Sequence, residues 1–135
     1  MEKEFIPYEQ ALELKELGFD EPCFCYWYTQ QGSFPSIRGK DIQFNGWKNY
    51  PDSNTIAPLY QQAFRWFREK HNLLGGVYSN ASGWLWEIHD NIGGTHRFGC
   101  DYEGDCEHSG TYTSFDKAEL ACLKKLIEIV KKNEL

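Results

Sequence analysis

The sequence predicts an α+β fold, an antiparallel sheet of about four to five strands with three helices packed mainly on one face. Three observations predict it. Three segments carry apolar residues at helical spacing, the stretches between them alternate with period two, and the connections are too short for parallel crossovers. A chain of 135 residues is large enough to bury one core, so a single domain over residues 1–135 is expected.

The first helix is PYEQALELKELG, with Pro7 in the opening turn, Ala11, Leu14 and Leu17 in one stripe, and Gly18 as a left-handed stop. CFCYWY, TQQG and SFPSI then read as strand, turn and second extended piece, with DIQF a possible third. A second helix is expected from about Thr55 to Asn72, with Ile56, Leu59, Tyr60, Ala63, Phe64 and Phe67 at helical spacing and Gly75-Gly76 ending it. GVYS and GWLWEIHD flank the turn NAS, and THRF follows Gly93-Gly94. The last helix begins near Ser114, where Thr113 and Asp116 resemble a capping box, and runs through Ala118, Cys122, Leu126 and Ile129. Leu14, Leu17, Phe64, Phe67, Leu123 and Leu126 are the expected core.

Composition narrows the function classes. A net charge of -6 argues against duplex nucleic acid, whose binding needs Lys and Arg on phosphates. No apolar run suits a bilayer span and the start lacks the order of a signal peptide, so a cytoplasmic protein is expected, in host cytoplasm if phage-encoded. Five cysteines fit reduced thiols better than a disulfide framework. The aromatic load of 9 Phe, 8 Tyr and 5 Trp is the outlier, more than a small core easily hides.

Three segments, PYEQALELKELGFDEPC (7–23), APLYQQAFRWFREKHNL (57–73) and ELACLKKLIEIVK (119–131), carry a resemblance. They are similar to segments of a family of small uncharacterised proteins encoded by bacteriophages and prophages of gut-type bacteria. The resemblance covers the helices and implies a phage or mobile-element origin. It implies no chemistry and no site residues.

The cluster in HRFGCDYEGDCEHSG offers zinc-type ligands at His96, Cys100, Cys106 and His108. It lacks a Cys-x2-Cys knuckle, and Asp101, Glu103, Asp105 and Glu107 read as the solvated tip of a hairpin, so no metal and no cofactor is expected. A Cys100–Cys106 disulfide is the other alternative. In the Cys23-Phe24-Cys25 run, alternation sends Cys23, Cys25 and Trp27 to one side and Phe24, Tyr26 and Tyr28 to the other. A nucleophilic pair of Cys25 and His89 lacks an orienting acid, and core packing is the better reading of the thiol.

A surface of Tyr26, Tyr28, Trp84 and Trp86, with Arg65 and Arg68 flanking Trp66 on the outer side of the second helix, is the candidate binding site. Two function classes follow. The first is a non-enzymatic phage accessory protein that binds a host protein through an aromatic and acidic surface. The second is a small-ligand module that sequesters a nucleotide by ring stacking and arginine contacts. An enzyme comes third, with no phosphate loop, nucleophile elbow or metalloprotease helix and no catalytic residue identified. Surplus aromatic surface makes a homodimer an option.

Overall fold

A computed structural model describes residues 2–29, 34–39, 55–89, 97–99 and 111–133. The described residues fall into two compact units, Met1–Gln62 and Ala63–Leu135. Among the described residues the class is α+β, with three α-helices and two antiparallel sheets. The expected sheet of about four to five strands is thus divided in two.

In the first unit a short 3-10 turn at Glu2–Glu4 leads into α1, Tyr8–Glu16. Gly18, at φ 98°, ends α1 as the sequence predicts: Phe19 N–H donates to Leu14 O at 3.0 Å and Gly18 N–H to Lys15 O at 3.1 Å, the paired bonds of a Schellman cap. Ala11 and Leu14 are fully buried, whereas Leu17 is half-buried. The sheet has the order β2-β1-β3, from β1 (Cys25–Tyr28), β2 (Ser36–Gly39) and β3 (Thr55–Ala57). Trp27 is buried on β1, and its indole N–H donates to the Ile6 carbonyl at 2.9 Å, tying the N-terminal segment to the sheet.

β3 corrects the expected start of the second helix. Ile56 and Leu59 fit the helical stripe by spacing alone, but Pro58 disfavours the helical region for Ala57, and the Thr55-Ile56 pair suits a strand. Helix α2 is Tyr60–His71. Gln62 secures its first turn, accepting from Leu59 N–H at 3.0 Å and donating to Pro22 O at 2.9 Å. The helix ends at Asn72, φ 55°, rather than at the glycine pair.

The second unit carries β4 (Leu74–Asn80), β5 (Gly83–His89) and β6 (Arg97–Gly99) in that order, with α3 (Phe115–Asn133) packed on β4 and β5. Asn80 closes the β4–β5 hairpin, its Oδ1 accepting from Ser82 N–H at 2.8 Å and Gly83 N–H at 3.1 Å. Gly75 and Gly76 lie in β4, where a Cβ on Gly75 would stand 3.1 Å from both Cys122 Sγ and Leu126 Cδ1. The bare backbone there lets α3 approach the sheet. Ser114, not Thr113, caps α3, its Oγ accepting from Lys117 N–H at 3.3 Å. Ala118, Cys122, Leu123, Leu126, Ile127 and Val130 form the buried stripe of α3. Among the described residues no helix is long and apolar enough to cross a membrane. DIQF and the stretch from Cys100 to Gly110 lie outside the described residues.

Candidate functional site

Strand pairing fixes which β5 side chains meet α3. Gly75, Val77 and Ser79 pair with Ile88, Trp86 and Trp84, and Gly75 faces Cys122 and Leu126 of α3. Trp84 and Trp86 therefore stand on the α3 face. Leu85, Glu87 and His89 occupy the other, with His89 Nε2 3.3 Å from Glu87 Oε1. Next to β5, Tyr112 forms an antiparallel bridge with Trp84. These contacts bring Trp86 and Tyr112 against one flank of α3.

A groove of about 460 Å³ opens along that flank, a volume typical of small-molecule sites. Its apolar lining comes from Trp86, Tyr112, Leu120 and Ala121. Its charged lining comes from Lys117, Lys124, Lys125 and Glu128. The helical repeat explains the set: positions 117, 120, 121, 124, 125 and 128 recur at three- and four-residue spacing along one flank, beside the core stripe.

The charges are unevenly matched. Lys132 Nζ lies 2.7 Å from Glu128 Oε1, and this hydrogen bond, reinforced by Lys125, holds the Glu128 carboxyl below its ordinary range. Lys125 Nζ sits 3.9 Å from Glu128 Oε2. Glu128 is thus engaged at the C-terminal end of the groove. Lys117 donates to a neutral partner, the Thr113 hydroxyl, at 3.4 Å, and both Lys117 and Lys124 are exposed. On a chain of net charge -6, the described lining of the groove places the exposed Lys117 and Lys124 beside its apolar residues.

Trp86 is 2% exposed, and its indole N–H is buried with no hydrogen-bond partner among the described residues. Trp84 is half-buried and meets Phe115 edge-on at 5.3 Å between ring centroids.

The other expected site residues scatter. Tyr26 and Tyr28 are half-buried on β1, in the other sheet from Trp84 and Trp86, so the four rings do not share a single sheet. Arg38 caps the Tyr28 ring at 3.9 Å, and Phe24 and Phe34 are 56% and 95% exposed. Arg65 and Arg68 are exposed on α2 as expected. Trp66 is not. At 4% exposure it lies inside, edge-on to Phe67 at 5.1 Å and His71 at 4.8 Å. The buried stripe of α2 runs through Tyr60, Ala63, Trp66 and Phe67, turned from the expected line so that Phe64 is only half-buried.

Three described cysteines, Cys23, Cys25 and Cys122, are free thiols. Burial raises the Cys25 thiol above its ordinary range and pushes Cys122 up to about 12, the reverse of what a nucleophile needs. Among the described residues no group of three or more His, Cys, Asp or Glu is arranged to hold a metal. His96, Cys100, Cys106 and His108 lie outside them.

The groove lysines escaped the sequence reading because lysines along a helix read as a solvated face. Their signal was Lys117 and Lys124 bracketing Leu120 and Ala121 on one helix flank. No protein-family model, curated protein or solved structure matches the chain.

Proposed function

We propose that this chain is a non-enzymatic binding protein that holds a small anionic molecule in the α3 groove. The observation that carries the reading is the pairing of an apolar lining, Trp86 and Tyr112 with Leu120 and Ala121, with the exposed lysines Lys117 and Lys124 on the same helix flank. It keeps the small-ligand reading of the sequence and alters its chemistry. Arg65 and Arg68 belong to α2 and do not line the groove, so lysine ammonium groups take the charged role. Trp86 is too enclosed at 2% exposure to offer a ring face for stacking, so the rings serve as apolar wall. A phage or prophage origin, from the resemblance of the helices, fits a protein that sequesters a host signal.

The second reading is a protein that binds a host polypeptide. It is favoured by the outward Phe24 and Phe34 and by the Arg38–Tyr28 stack of the first unit. Native mass spectrometry of the full chain after expression in cells, repeated after denaturation, separates the two. A small-molecule mass lost on denaturation supports the groove. A co-purifying polypeptide, retained by Lys117→Met/Lys124→Met and lost on Phe24→Ser, supports the alternative.

A further inference from the structure

Trp86 gives the groove a feature that charge alone does not. A buried N–H without an acceptor carries an uncompensated desolvation cost, and each such group in a folded protein calls for a physical reason. Among the described residues the Trp86 N–H is such a group, buried on a residue that lines the groove. An indole N–H can only donate. A ligand that enters the groove with an acceptor on its apolar body would satisfy it, whereas a hydrocarbon body would leave it unmet.

Resting on the proposed anionic-ligand reading, we propose that Trp86 is a specificity-determining residue that selects an anionic heteroaromatic molecule. The ligand's carboxylate or phosphate meets Lys117 and Lys124, and a ring nitrogen or carbonyl oxygen on its planar body accepts the Trp86 N–H. The apolar lining by two aromatic rings, Leu120 and Ala121 suits a flat body, and the lysines select the charged end. Access to the N–H requires a rotamer change in the groove wall, of a kind common on binding. A site built to satisfy a buried polar group rejects the analogue that lacks the complementary atom, because binding then leaves that group unpaired.

The test compares three carboxylates of the same shape and charge: 2-naphthoate, which has no ring acceptor, and quinoline-2-carboxylate and quinoline-3-carboxylate, which place a ring nitrogen at different positions relative to the carboxylate. Each is titrated into the full chain while nitrogen–proton correlation spectra follow the indole signals, the Trp86 signal being identified by its loss in Trp86→Phe. At least one quinoline acid is expected to bind about 10-fold more tightly than naphthoate, the worth of one buried hydrogen bond at about 1.4 kcal/mol. It is also expected to shift the Trp86 indole proton downfield. In Trp86→Phe the preference should vanish; should that variant fail to fold, the wild-type indole shift, with the Trp86 signal assigned through its own backbone resonances in isotope-labelled protein, still decides. Equal affinity for all three acids with an unmoved Trp86 signal, while Lys124→Met still weakens binding, overturns the role of Trp86 and leaves the groove reading standing. Absence of saturable binding by any acid, or binding indifferent to Lys124→Met, overturns both.

Discussion

Trp84 and Tyr112 exchange backbone hydrogen bonds, Trp84 N–H to Tyr112 O at 2.9 Å and Tyr112 N–H to Trp84 O at 2.8 Å, so that the segment entering α3 is held against β5. The bridge sets one wall of the groove. It depends on the neighbouring Gly83, whose φ of 151° and lack of a side chain leave room for Tyr112 O, 2.7 Å from where a Cβ would be.

Gly83→Ala is therefore expected to destabilise by about 1–3 kcal/mol, combining an unfavourable backbone conformation with a clash against backbone that a rotamer change cannot relieve. Thermal melting checks it. A melt equal to wild type would mean that the bridge is not as described.

Helix α2 separates two kinds of neighbour. Phe67→Ala and Trp66→Ala should each cost about 3–5 kcal/mol, since both side chains are buried. Arg65→Ala/Arg68→Ala should change stability little, because both residues are exposed. Denaturant unfolding of the three variants gives the contrast. A tolerated Trp66→Ala would restore the outward placement that the sequence suggested.

That placement shows where sequence reasoning reached its limit. Apolar period alone cannot choose between Phe64 and Trp66 as the edge of a stripe, because both lie within one residue of its centre; the packing chose Trp66. The same ambiguity hid β3, where Ile56 and Leu59 continued the helical spacing of α2 and only Pro58 spoke against it. Where a residue has one physical use, the reading held: Gly18 stops α1, the Asn80 turn closes its hairpin, and alternation from Cys23 to Tyr28 separates buried Trp27 from exposed Phe24. Among the described residues of the groove, Trp86 was the one that the sequence had singled out as a site residue. The lysines were not legible, because a helix flank becomes a groove only once a strand stands beside it.

Glu119 supplies a pH dependence. Burial on α3, with a smaller contribution from Asp116, raises its carboxyl from 4.5 to about 7. The folded state then holds this proton more tightly than the unfolded chain, so the contribution to stability is present at acid pH and is lost as pH rises through that window. Glu119→Gln should flatten the slope between those values and raise the melting temperature above pH ~7. A melting profile that rises with pH across the window in wild type and is unaltered by the substitution would refute the assignment.

Ser114→Ala removes the side-chain acceptor for Lys117 N–H at the start of α3 and is expected to cost about 1 kcal/mol. Thr113→Ala should cost less, since its hydroxyl meets only the exposed Lys117 ammonium. Equal losses in chemical denaturation would return the cap to Thr113.

The most direct measurement of the central claim is calorimetric titration of naphthoate into the full chain and into Lys117→Met/Lys124→Met, at low and raised salt. Both lysines are exposed, so the variant should keep the wild-type melt. The account predicts saturable binding to the wild type that weakens with salt, and a loss of about 10-fold or more in the variant, as expected for removing the ammonium groups that meet the anion. Equal affinity in both proteins, at both salt levels, would contradict it.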